Sequence, residues 1–296
     1  MKSDRAACVK MYPAFSFGSV NQPVSNRRNS RNSWNVSGHA MSPVIAMWVA
    51  YVVMVVCNVL FEALRLGGTT SAEVSASVFA WFTPAGYVFS IWGLIYVALL
   101  AWLVYYTREE SRNAADVTNF TPKTAGLFIA SCILNVAWLV LFHFQQTIVA
   151  LVVIAALWGV LVALYRDIHA RYLSSTWAKV LGWVPISIYV GWISVAVLAN
   201  ASHVITRLAG GSLAPFVGEL STLIVVAVVL AAGFLMRKRY DDIAIPLVFL
   251  WAIIGVGVNL INVSISTSII IFALSVIAAF LTFFKVGEIR VPSRVQ

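Results

Sequence analysis

The sequence predicts an all-α integral membrane protein with about eight transmembrane helices, and three observations carry that prediction. Hydrophobic residues make up 61% of the 296 residues and charged residues only 10%, against roughly a quarter charged in a soluble domain. Uncharged apolar runs recur along the chain, each close to the ~20 residues a helix needs to cross a bilayer. Lysine and arginine gather in alternate connections between those runs, as short membrane loops do.

The runs are Pro43–Phe61, Tyr87–Tyr106, Ala125–Phe144, Ile148–Tyr165, Val180–Asn200, Leu213–Met236, Ile243–Val263 and Ile265–Phe284. They are apolar on every face, whereas barrel strands alternate, and backbone in lipid must bond within its own segment. The last two runs are nearly continuous, broken only around Asn262–Ser268. With the amino terminus cytoplasmic, the leading tail carries Lys2, Arg5, Lys10, Arg27, Arg28 and Arg31 on that side. The second connection adds Arg108, Arg112 and Lys123, and the fourth adds Arg166, Arg171 and Lys179. The sixth adds Arg237, Lys238 and Arg239, and the carboxyl end adds Lys285, Arg290 and Arg294. Only Arg65 and Arg207 fall on the opposite side. Eight spans with both termini cytoplasmic therefore account for the net charge of +9, with anionic lipid as the partner and no nucleic acid.

Residues 1–42 form a distinct segment, rich in Ser, Asn and Arg with Asp4 as its single acid. Two readings fit it: a disordered cytoplasmic tail, or an organelle transit segment, which is also Arg- and Ser-rich and poor in acids. Cys8, Cys57 and Cys132 are too few and too scattered for a disulfide framework or a metal site. The longest connection is Glu62–Gly86, and Pro84 stands at the entry to the second span, where its missing N–H costs nothing.

Eleven tryptophans exceed what interfacial anchoring requires. Trp81, Trp92, Trp102, Tyr105 and Tyr106 suit aromatic belts at the ends of the second span, and Trp92 and Tyr189 suit pocket walls equally well. Trp192 and Asn200 are eight residues apart and share a helix face. Asn135 and Trp138 make a similar pair on the third span. An amide in lipid needs a partner, either another helix or a ligand. His143 and His203 fall at helix ends with no haem-attachment spacing, which suits the headgroup level. Glu219, inside the sixth span, is an intramembrane acid and so a candidate for proton or cation binding, with Arg207, Asn259 and Asn262 as companions. No zinc-binding His-Glu-x-x-His, nucleophile elbow or Walker loop occurs, so no catalytic residue and no metal ligand is assigned.

The stretch Phe82-Thr83-Pro84-Ala85-Gly86-Tyr87-Val88-Phe89-Ser90-Ile91-Trp92 resembles the second-helix entry of the TspO/MBR family, the tryptophan-rich sensory or translocator proteins. Leu134-Asn135-Val136-Ala137-Trp138 is similar to its third-helix signature, and Ala150-Leu151 through Leu157-Trp158 to its fourth helix. Trp192-Ile193-Ser194-Val195-Ala196, ending at Asn200, is similar to its fifth. The chain departs from the pattern at Ala85 for a proline, at Tyr87 for a tryptophan, in the short Phe89–Trp92 spacing, and in the long Pro185–Trp192 spacing. The resemblance implies a five-helix domain over residues 43–205 and leaves 206–296 as three further transmembrane helices with a short basic end.

The resemblance also implies a membrane receptor or translocator for a hydrophobic ligand, a tetrapyrrole (porphyrin, haem) or sterol-like lipid. The ligand would lie among the five helices under the first long loop. Its implied contacts are Pro84, Tyr87, Trp92, Asn135, Trp138, Tyr189, Trp192 and Asn200. Helix packing alone is the competing account of the same residues. No cofactor is required, porphyrin or haem entering as ligand, and a homodimer is a candidate assembly. Two other function classes stand beside this one: a proton- or cation-coupled secondary transporter using Glu219, and a porphyrin-modifying membrane enzyme. The topology has a direct test. Reporter fusions at the amino end and after Gln296 should lie on one side, and a reporter inserted at Gly67-Gly68 on the other; termini on opposite sides would contradict an even number of spans.

Overall fold

The computed structural model describes residues 43–112, 121–170 and 176–284. The segment 1–42, Cys8, Arg171 and the basic residues Lys285, Arg290 and Arg294 lie outside the described residues. The described residues are helical, with no strand among them. In chain order the helices are α1 (Pro43–Ala63), α2 (Ser71–Ala76), α3 (Ile91–Arg112), α4 (Pro122–His143) and α5 (Thr147–His169). They continue with α6 (Thr176–Gly182), α7 (Val184–Leu208), α8 (Pro215–Tyr240), α9 (Ala244–Leu260) and α10 (Ile265–Phe283). Seven of these are long and apolar enough to cross a membrane, and α9 is the shorter eighth.

The 17 residues of α9 reach about 25 Å at 1.5 Å per residue, the lower end of a bilayer span. Two features trim it from the expected Ile243–Val263. Asp241 adopts a left-handed conformation (φ 54°) that ends α8, and a tight turn at 261–264 closes the hairpin to α10. The helix still runs from one end of the bundle toward the other. Its start lies beside Tyr165 and Ser187, and its Gly255 lies against Pro84 and Val88.

Helix contacts fix the antiparallel order. Trp48 at the start of α1 donates to Thr107 at the end of α3 (3.1 Å). Thr124 at the start of α4 donates to Asp167 at the end of α5 (2.7 Å). α1 buries a single stripe, Met47, Tyr51, Met54 and Asn58, the 4-3-4 spacing of one helix face. Val49, Val52, Val53, Val56, Val59 and Leu60 stay exposed for lipid. α7 is the central helix, packed on α3, α5 and α9 with fifteen of its 25 residues buried. It begins after Trp183, with Pro185 in its first turn, and runs two turns past the expected Asn200 to Leu208. Proline cannot donate within a helix, so the apolar run breaks there into α6 and α7.

Glycines carry the closest helix crossings, as expected where lipid offers no hydrophobic drive and approach distance decides. A Cβ at Gly191 of α7 would sit 3.3 Å from Val248 of α9, and one at Gly257 of α9 would sit 2.7 Å from Phe272 of α10. Gly218 of α8 is covered by the Trp81 indole, and Gly255 of α9 by the Val88 side chain. The Ala85 amide donates to Gly255 O (3.0 Å), and Trp251 Nε1 donates to Val88 O (3.2 Å). Thus α8 and α9 grip residues 81–88, where a 3₁₀ turn (Gly86–Ser90) leads into α3.

Several aromatic and histidine expectations are corrected by this packing. Trp81, Trp102 and Tyr106 are buried (5%, 0% and 3% exposed) and serve the core instead of a belt. Among the described residues, the exposed indoles are Trp158, Trp177 and Trp251. His143 and His203 are also buried, not placed among headgroups. His143 bonds the Leu139 carbonyl (3.0 Å) and lies 3.7 Å from Glu62. The glycine contact yields a prediction. Gly218→Ala forces a rigid indole aside and should cost about 1–3 kcal/mol, read as a lower melting temperature in detergent. Trp81→Ala in the same chain should remove most of that extra cost, whereas full additivity would contradict the contact.

Candidate functional site

The second-helix entry, α4 and α7 bring their rings together in one aromatic cluster. Trp92 stacks on Tyr96 and on Trp138, each at 5.8 Å between centroids. It meets Trp192 (6.2 Å) and Tyr189 (6.3 Å) edge-on. Trp138 stacks in turn on Phe142 (5.2 Å), and Phe89 meets Trp192 at 5.8 Å. Such ring pairs add about 0.5–1.5 kcal/mol each beyond the area they bury. They hold α3, α4 and α7 together at one level of the bundle.

Asparagines tie the same helices. Asn58 Nδ2 donates to Asn135 Oδ1 (2.8 Å) and to Met54 O (2.8 Å), joining α1 to α4. Asn200 Nδ2 donates to Ala196 O (2.9 Å), and its Oδ1 accepts from Trp138 Nε1 at 3.5 Å. Asn135 stands beside Tyr189, yet neither Asn135 Nδ2 nor the Tyr189 hydroxyl completes a hydrogen bond. Trp192 Nε1 is likewise buried without a partner. A buried unpaired donor costs on the order of 1–3 kcal/mol, so each of these groups is open to an acceptor.

An enclosed cavity of about 20 Å³ lies against this cluster, walled by Pro84, Phe89, Trp138, Trp192 and Asn200 and roofed by Ser75 of α2. That volume holds roughly one water molecule. Drug-sized ligands occupy pockets of about 300–1,000 Å³, so a larger guest enters only if the roof or the rings move. The outer side of the roof is held by surface polar contacts. Thr70 and Glu73 form a reciprocal capping box, and Glu73 also pairs with Arg65 (2.6 Å). The Ser71 amide donates to Glu62 (3.0 Å). The Thr70 amide, assisted by Arg65, holds the Glu73 carboxyl below the usual glutamate range. That stabilisation is complete above the unfolded value and fades as pH falls through the lower folded one.

The expected contacts separate into groups. Pro84, Trp138, Trp192 and Asn200 line the cavity. Trp92 and Tyr189 back the rings from behind. Asn135 is fully buried and links α1 to α4. Tyr87 is 47% exposed and turns outward onto Trp251 (5.4 Å). Phe89, Phe142, Val195, Ala196, Ala199 and Ser75 complete the wall; the two phenylalanines stand in the entry and third-helix stretches, but nothing in the sequence marks Ser75. Glu219 sits four residues into α8 and is half-buried, nearer the helix end than the sequence suggested. No hydrogen bond or ion pair joins it to Arg207 or Asn259 among the described residues. No cluster of three His, Cys, Asp or Glu that could hold a metal ion occurs among those residues either.

A family model described as TSPO-like protein matches residues 44–286, which takes in α8, α9 and most of the chain beyond. No curated protein and no solved structure matches the chain. The Asn58–Asn135 link has its own test. A double-mutant cycle with Asn58→Ala and Asn135→Ala should give a coupling of about 0.6–1.7 kcal/mol. A coupling near zero would mean the two amides stabilise their helices independently.

Proposed function

The chain belongs to the TSPO-like protein family, and from that premise we propose that it is a multi-pass membrane receptor or translocator for a flat hydrophobic ligand of tetrapyrrole or sterol-like type. One observation carries the proposal: four residues from three separate sequence stretches, Pro84, Trp138, Trp192 and Asn200, converge on one enclosed aromatic cavity. The walls offer stacking faces, and the unpaired Trp192 Nε1–H offers one oriented polar contact. Apolar enclosure with few convergent polar groups is the usual form of such sites.

The small closed volume makes binding an opening event. Ser75 and Pro84 lift, and a planar ligand takes the place that ring–ring stacking now fills. The ligand is held and released unchanged, so the protein is a binder and not an enzyme and needs no resident cofactor. Membrane lipid surrounds it, with both termini cytoplasmic and a homodimer as the proposed assembly. The secondary-transport reading based on Glu219 is less favoured, because that side chain is half-buried near a helix end.

The test is quenching of tryptophan fluorescence by protoporphyrin IX in detergent. Wild-type protein should quench saturably at micromolar ligand. Trp192→Phe and Asn200→Ala should each weaken binding roughly two- to tenfold, the value of one hydrogen bond. Tyr87→Phe should leave it unchanged. Quenching that never saturates, or that all four proteins share, would reduce the interaction to partitioning into the micelle and overturn the proposal.

A further inference from the structure

At the opposite end of α9 from the Gly255 contact, three helices meet around one carboxylate. Asp242 is 8% exposed and stands between the left-handed Asp241 and the start of α9. Its Oδ1 accepts the amides of Ala244 (2.8 Å) and Ile245 (3.2 Å), capping the helix. Its Oδ2 accepts the Ser187 hydroxyl from α7 (2.6 Å) and the Tyr165 hydroxyl from α5 (3.1 Å). His169, also from α5, places Nε2 3.7 Å from the same oxygen. The imidazole is held between two rings, stacked on Tyr165 at 3.8 Å and on Trp183 at 5.0 Å.

The tautomer follows from the other ring nitrogen. His169 Nδ1 lies 3.1 Å from the Tyr165 carbonyl oxygen, and a carbonyl only accepts, so Nδ1 carries the hydrogen. Neutral His169 then turns the Nε2 lone pair toward the carboxylate. Two acceptors face each other across a gap too long for a hydrogen bond. A proton on Nε2 would convert that gap into a charge-assisted bond. Asp242 already takes four donors, so the vacant position is on the histidine side.

Among the described residues, the surroundings supply no other counter-charge. On α5, Arg166 is exposed and Asp167 is engaged with Thr124 and Lys123 (3.3 Å). On α6, Lys179 lies over the Trp183 ring at 5.8 Å. On α7 the facing group is the neutral Ser187. On α8, Tyr240 meets Tyr165 edge-on (6.1 Å), Arg239 lies over Tyr240, and Arg237 pairs with Asp241. Among the described residues, His169 is the one basic side chain within ion-pair distance of Asp242. A buried carboxylate with a single basic partner is the arrangement in which removing or adding one proton matters most.

We propose that His169 and Asp242 form a proton-binding site, and that the bound proton fastens the start of α9 to α5 and α7. The pair, in place of Glu219, is then where proton coupling enters this protein. Its basis is the joint itself, whatever the aromatic cavity binds. The site is poised to act beyond its own end of the bundle, because α9 also holds residues 85–88 through Gly255 and Trp251.

The test uses the full chain in phosphatidylcholine nanodiscs with isotope-labelled histidine rings, the His169 signal being assigned with His169→Gln. As pH falls from 8 to 5, His169 should pass from an Nδ1–H ring to a doubly protonated one. Asp242→Asn should lower its midpoint by about one pH unit or more. Tyr165→Phe, which frees a lone pair on Oδ2, should raise it, so the proposal remains testable if the aspartate variant does not fold. Amide exchange across 243–250, corrected for its intrinsic pH dependence, should slow as wild-type protein crosses that midpoint and should be flat in His169→Gln. A His169 midpoint that neither variant moves would overturn the proton site. Titration without any change in exchange would overturn the joint.

Discussion

Inside a bilayer, helices are as apolar as the lipid they leave, so association rests on close approach and on polar groups that find each other. The whole bundle follows from that constraint. Its closest crossings occur where glycine removes a side chain, at Gly191, Gly218, Gly255 and Gly257. Polar links tie neighbouring elements, among them Trp48 to Thr107, Tyr51 to Tyr96, Asn58 to Asn135, Thr124 to Asp167, Trp138 to Asn200, Trp158 to Ser194, and Asp242 to both Tyr165 and Ser187. Most of what remains exposed on α1 and α8 is aliphatic surface.

The candidate site is a by-product of the same constraint. Indoles large enough to bridge three helices leave a small gap where their edges do not fill space, and that gap carries an unpaired N–H. The helices that follow α7 are not an appendage to this site. Trp81 rests on Gly218, and Val88 rests on Gly255, so α8 and α9 position the segment that contributes Pro84 to the cavity wall. The family match across residues 44–286 covers those helices as well.

Much of this was legible in the sequence, because transmembrane helices must declare themselves by length and apolarity. The ends of α1, α4 and α5 fall within a few residues of the uncharged runs. The pairs Asn135–Trp138 and Trp192–Asn200 announce shared helix faces, and three of the four residues reach the cavity. Other features were hidden for definite reasons. Hydropathy does not distinguish a tryptophan at the interface from one packed on a glycine, so Trp81 read as an anchor. The break at Trp183 and Pro185 lies within a continuous apolar run, so the start of α7 was misplaced. Asp242 lies in the short connection between two apolar runs, and its partners at 165, 169 and 187 are brought to it only by the fold.

The central claim is that the aromatic cavity beneath α2 is where a hydrophobic ligand binds. Light-driven oxidation by bound protoporphyrin IX, mapped along the chain by peptide mass spectrometry, tests it most directly, since the oxidant acts close to where it forms. The account predicts modification concentrated on Trp92, Trp138 and Trp192, which are buried (9%, 2% and 2% exposed) and inaccessible from lipid. Oxidation confined to the exposed Trp158, Trp177 and Trp251 would show the porphyrin resting on the outside of the bundle and would contradict the account.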